Sequence, residues 1–165
     1  TMTSPASRQH QEIGGFLYAI ASVYVEAKRL GIVLQPPFQM KLAATGREPD
    51  LIFVANEHLE RLQETYLDGP ADLVAEITSP ESLGRDRGAK FYEYEQAGIP
   101  EYWLIDPLRE EAEFYQLDAQ GRYRTIWADA EGMYRSRVLP GFRLPVAWLW
   151  QPPMVLDALR QMGLL

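Results

Sequence analysis

Apolar residues recur along the chain at two different spacings, and the changes between them mark out the elements. From residue 10 to residue 30, Ile13, Phe16, Leu17, Ile20, Tyr24, Ala27 and Leu30 return every three or four positions, which predicts one amphipathic helix with a single apolar face. Gly31 suits its stop. The stretch IVLQPPFQMKL then reads as a strand broken by Pro36-Pro37 and followed by a second short strand. EPDLIFVAN predicts a strand ending near Asn56, and the polar EHLERLQETY a short surface helix. DLVAEITS is a strand bounded by Gly69-Pro70 and Pro80. Residues 85 to 97 return to helical spacing, stopped by Gly98 with Pro100 beyond it. EYWLID is the next strand, closed by Pro107, with Tyr102 and Trp103 expected in the core. EAEFYQL and RYRTIWA flank DAQG as a hairpin, GMYRSRVLPGFRLP adds a strand and turn, and PMVLDALRQMG predicts a closing helix. Strand, strand, helix, strand and then hairpins predict a mixed β-sheet with helices packed on it, an α/β or α+β fold.

One residue breaks the pattern. Glu76 stands inside the apolar run Leu73, Val74, Ala75, Ile77. Strand residues alternate sides, so Leu73, Ala75 and Ile77 share one face while Asp72, Val74, Glu76 and Thr78 share the other. Asp50, at the start of the preceding apolar strand, shares a side with Ile52 and Val54. Pairing of these two strands would let Asp50 and Glu76 converge. Two neighbouring carboxylates repel, and a divalent cation between them removes that penalty; oxygen ligands favour Mg²⁺ or Mn²⁺. Lys90 follows on the next helix, one turn beyond Asp86, where it can orient a water or offset charge on a phosphate. Two acids holding a metal with a lysine nearby is the equipment of phosphodiester hydrolysis.

Each of these residues also has a plain structural reading. Asp50 after Pro49 fits a turn, Glu76 a buried ion pair with Arg85 or Lys90, and Lys90 a helix residue paired with Asp86. His10 and His58 lie in polar segments without spaced partner ligands and read as solvated, as does Glu12. Arg85, Arg87 and Lys90 form a small basic cluster that suits either a phosphate or a charged helix start.

Composition narrows the choice further. The 165 residues suit one domain with one core, and no cysteine is present, which excludes disulfides, zinc fingers and thiol catalysis and suits a cytoplasmic location. No apolar stretch reaches the length of a membrane span, so no membrane partner is expected. The net charge of −7 is unlike that of a protein built mainly to grip phosphate backbones. Any nucleic-acid role must therefore rest on local basic groups or a metal. No Walker loop, dinucleotide fingerprint or nucleophile elbow occurs.

The segments REPDLIFV, GPADLVAEITSPES and DRGAKFYEYEQAGIPEYWLIDP, with GMYRSRVLPGFRLPVAWLW near the end, resemble the Uma-type family of restriction-endonuclease-like proteins in the PD-(D/E)XK nuclease superfamily. The likeness covers roughly residues 8 to 150 and carries the family's motif acids onto Asp50 and Glu76. The superfamily lysine two residues after the second acid meets Thr78 here, and the resemblance places that role on Lys90 in the next helix. It implies a four- or five-stranded mixed sheet flanked by helices in a single restriction-endonuclease-like domain over 1–165. It also implies a divalent metal, DNA as substrate and a homodimer. Family members begin with a helix and hairpin before this region, so the opening TMTSPASRQH implies a chain lacking the usual N-terminal segment.

Overall fold

The computed structural model describes residues 7–165; residues 1–6, at the start of the opening segment considered above, and the side chain of Arg85 lie outside that description. The first helix, α1 (Arg8–Lys28), begins ahead of the apolar stripe because Ser7 caps it, its side chain accepting a hydrogen bond from the His10 amide at 3.0 Å. The helix does not stop at Gly31. It ends through Arg29, which adopts a left-handed conformation (φ 55°), so Ala27 is exposed and Leu30 lies beyond the last turn. Gly31 serves the sheet instead: a Cβ there would lie 2.0 Å from the carbonyl oxygen of Val54 on the neighbouring strand.

Gly31 opens β1 (Gly31–Leu34), followed by β2 (Gln39–Lys41), β3 (Gly46–Arg47) and β4 (Leu51–Ala55). The polar stretch predicted as a surface helix is a 3-10 helix at Asn56–Arg61 that leads into β5 (Tyr66–Asp68). Next come β6 (Leu73–Ile77), α2 (Leu83–Arg87), α3 (Ala89–Ala97), β7 (Glu101–Asp106) and the hairpin β8 (Glu111–Leu117) and β9 (Tyr123–Ile126). The segment expected to add one strand makes two, β10 (Met133–Arg135) and β11 (Arg143–Pro145), before the closing helix α4 (Val155–Gln161).

The central sheet has the order β1-β4-β6-β7-β8-β9. It holds six strands rather than four or five, because β1 pairs with β4 at one edge and the DAQG hairpin adds β9 at the other. β4 runs antiparallel to β6 with Leu51 opposite Ala75, and β6 runs parallel to β7 with Glu76 opposite Leu104. The β6–β7 connection is the crossover through α2 and α3, as parallel pairing requires. Where one helix was expected over 85–97, Gly88 (φ −104°, ψ −89°) divides two.

Both sheet faces are covered, which is why every residue of β6 and β7 is buried. On one face Leu73, Ala75, Ile77, Trp103 and Ile105 pack against the stripe of α1 and against Tyr134, Phe142 and Leu159 from the C-terminal elements. On the other, Ile52, Val54, Val74, Tyr102 and Leu104 pack against Tyr94 of α3 and against Met40 and Leu67 of the small β3-β2-β5 sheet. The alternation read from the sequence is thus the one observed. Among the described residues no helix is long and apolar enough to cross a membrane.

Candidate functional site

The two parallel strands β6 and β7 end on the same side of the sheet. Beyond their carboxyl ends lies a cleft of about 570 Å³, lined by the segment Glu76–Ser82, by Pro107 and Leu108, and by His10, Asp50, Asp86 and Lys90. Strand carboxyl ends in open α/β sheets are a favoured place for ligands, because the chain there turns away and leaves a crevice.

All three residues singled out from the sequence line this cleft. Asp50 sits one position before β4, where the ladder with β6 gives out. Its Oδ2 accepts the Ile77 amide at 2.7 Å, so the carboxylate itself continues the strand pairing next to Glu76. Its Oδ1 lies 3.1 Å from Nε2 of His10. Glu76 projects to the α3 side. Its Oε2 lies 2.7 Å from Nζ of Lys90, and its Oε1 accepts the Tyr94 hydroxyl at 3.1 Å. Lys90, the second residue of α3, also lies 2.8 Å from Oδ1 of Asp86. The break at Gly88 lets α3 start afresh above β6 and carries Lys90 over the strand end.

Burial dominates the electrostatics. It pushes the Glu76 carboxyl up to about 7; Lys90 pulls it down and Asp50 adds to the rise. Burial also draws the Lys90 ammonium down, but Glu76 and Asp86 outweigh it and hold the group above the usual lysine value. The hydrogen bond to Asp50 raises the pKa of His10 against the opposing effect of burial. Burial and the nearby Glu76 raise the Tyr94 and Tyr102 hydroxyls, so both remain neutral donors.

The structure adds two residues to the cleft that the sequence reading did not place there. His10 was expected in solvent; it is half-buried and paired with Asp50. A signal existed, since His10 continues the stripe of Ile13, Leu17, Ile20 and Tyr24 toward the sheet. Asp86, read only as a neighbour of Lys90, is 1% exposed and faces both Lys90 and the Ser82 hydroxyl. His58 is likewise not free: its Nδ1 lies 2.8 Å from Asp72 at the opposite end of β6. Arg87 pairs with Glu113 at 2.5 Å, and Glu12 pairs with Arg8 on the surface.

Among the described residues no group of three or more His, Cys, Asp or Glu side chains is arranged to hold a metal ion by itself. The pair Asp50 and Glu76 still fits Mg²⁺ or Mn²⁺. Such ions are held by one or two carboxylates and take their remaining ligands from water and substrate phosphate. The cleft provides two carboxyl groups, and burial first, then the charge of Asp50, pushes Glu76 toward neutrality.

The model of the Uma2 family, described as "Putative restriction endonuclease", matches residues 1–147. A solved structure described as "a putative nuclease belonging to DUF820", from Anabaena variabilis, superposes with a TM-score of 0.74 at 14% identity, covering 92% of this chain and 85% of that one. At that identity the likeness concerns the fold alone. No curated protein matches the chain.

Proposed function

The chain belongs to the Uma2 family of restriction-endonuclease-like proteins, and on that footing we propose that it is a metal-dependent nuclease hydrolysing phosphodiester bonds of DNA. The observation that carries this reading is the meeting of Asp50, Glu76 and Lys90 in one cleft at the carboxyl end of β6.

In this reading Asp50 and Glu76 hold Mg²⁺ or Mn²⁺, which when bound supplies Lewis-acid polarisation of the phosphoryl group and offsets its charge. The Ile77 amide and His10 fix the Asp50 carboxylate from two sides, so it needs no reorganisation to act as a ligand. Tyr94 anchors Oε1 of Glu76, and Lys90 holds Oε2 at the cleft wall. Lys90 offers a held positive charge to the scissile phosphate and a donor to orient the attacking water. With a net charge of −7 the chain repels DNA at long range, so a divalent ion is also the natural bridge between the cleft and a phosphate.

Plasmid and labelled single- and double-stranded DNA, incubated with Mg²⁺ or Mn²⁺, test the reading. Asp50→Asn is expected to lower the cleavage rate by about a hundredfold or more, while leaving melting nearly unchanged. Equal cleavage by the variant, or no cleavage by the parent on any of these substrates, would sink it. One observation favours a second reading, a nuclease-like binding module without chemistry: Lys90 already satisfies Glu76 as a counterion. Absence of Mn²⁺ binding at millimolar concentration would select that reading.

A further inference from the structure

Lys90 is in close contact with two carboxylates at once. Its Nζ lies 2.7 Å from Glu76 Oε2 and 2.8 Å from Asp86 Oδ1, in a pocket where the lysine side chain is 15% exposed and the two acids 5% and 1%. Both contacts hold the ammonium. Asp86 Oδ1 is buried and, among the described residues, meets no donor other than this ammonium. The rest of Asp86 is fixed: Oδ2 accepts the Ser82 hydroxyl at 3.0 Å, and the main-chain carbonyl accepts the Tyr102 hydroxyl at 3.0 Å.

A divalent cation on Glu76 Oε2 would repel the ammonium now bonded to that oxygen. Neither charge can be left bare in so enclosed a place without a large penalty. The lysine therefore needs a second acceptor within a small movement, and one carboxylate already touches it.

We propose that Asp86 is a positioning residue of the cleft, the acceptor onto which Lys90 transfers when Glu76 takes up a divalent cation. This rests on the nuclease reading above and deepens it. Glu76 exchanges one cation for another and is never unpaired. Lys90 keeps its charge and stays at the cleft wall, beside the place a phosphate would occupy.

Mn²⁺ titration without nucleic acid, followed by electron paramagnetic resonance of the free ion at pH 8, tests the exchange directly. Asp86→Asn should weaken Mn²⁺ binding by about tenfold, because the displaced ammonium loses its acceptor, and Lys90→Met should strengthen it by a similar factor, because the competitor is gone. In the Lys90→Met background Asp86→Asn should lose most of its effect, and Asp86→Glu should bind within about threefold of the parent. A merely structural Asp86 would lower the melting temperature in both backgrounds without this coupling. The proposal is overturned by Asp86→Asn binding Mn²⁺ like the parent, or weakening it equally in both backgrounds. Should Asp86→Asn not fold, unchanged affinity in Lys90→Met overturns it equally. Glu76→Gln separates the two failures: if it binds Mn²⁺ as the parent does, or the parent binds none, the nuclease reading itself falls and this inference falls with it.

Discussion

Glu76→Gln is expected to melt higher than the parent at pH 8 in the absence of metal, and to cleave no DNA. The carboxyl of Glu76 is pushed up to about 7, first by burial, with Lys90 opposing and Asp50 and Asp86 adding to the rise. A carboxyl whose folded pKa lies above its unfolded value stabilises the fold fully below the unfolded pKa, here 4.5. That contribution is lost as pH rises through 7. Above pH 7 the parent carries a penalty of roughly 3 kcal/mol for the buried charge. Glutamine keeps the shape, can accept from Lys90 through its oxygen and can donate to the Tyr94 hydroxyl. Asp86 remains as counterion to Lys90. The variant should therefore melt about 6 °C or more above the parent at pH 8 and within about a degree of it at pH 4. Added Mn²⁺ should raise the parent's melting temperature and leave the variant's unchanged. Thermal denaturation at both pH values decides. A variant less stable than the parent at pH 8 would mean that the Lys90–Glu76 pair more than repays its desolvation, and the account of Glu76 as a strained functional residue would fail. A gain in stability with loss of function is what a site kept for chemistry produces.

What the sequence made legible follows from the range of the forces involved. Alternation along β6 is a local property, so the opposite faces of Ala75 and Glu76 could be read from spacing alone. The pairing of β4 with β6 needed one further assumption, and Asp50 then fell beside Glu76 without further information. Termini were less legible. Gly31 carries the turn chemistry of a helix stop, yet its lack of a side chain is used for a close approach to Val54, and Arg29 takes the left-handed position instead. The break at Gly88 was hidden because residues on both sides keep helical spacing. His10 was missed for a different reason: it gains its role from Asp50 on another element, a contact that no window of sequence contains. The pairing of Asp86 with Lys90 was legible from i,i+4 spacing, but its burial beside Glu76 was not, because Glu76 stands on β6.

Glu101 shows the same blindness where the stakes are structural, and it carries the largest expected loss of stability. It is the first residue of β7 and is fully buried. Its Oε2 accepts the Trp103 indole at 2.8 Å and the Tyr134 hydroxyl at 2.6 Å. Its Oε1 accepts the Ser136 hydroxyl at 3.1 Å and the amides of Arg137 and Val138 at 2.9 and 3.1 Å. One carboxylate thus ties the turn after β10 to the central sheet through five donors, none of them an ammonium or guanidinium group. Glu101→Ala would leave all five without their acceptor at the edge of the aromatic cluster of Trp103, Phe114, Tyr134 and Phe142. The cost should reach about 4 kcal/mol or more, a large share of a typical domain's stability. Urea or thermal denaturation should show a fall of about 10 °C or more for Glu101→Ala, with Glu101→Gln between it and the parent because the amide keeps one acceptor oxygen. Cleavage per folded molecule should not change, since Glu101 stands at the amino end of β7 and the cleft opens past its carboxyl end at Pro107 and Leu108. Melting of Glu101→Ala within two or so degrees of the parent would mean that water replaces the carboxylate at little cost, and the buried network would then be incidental to the fold.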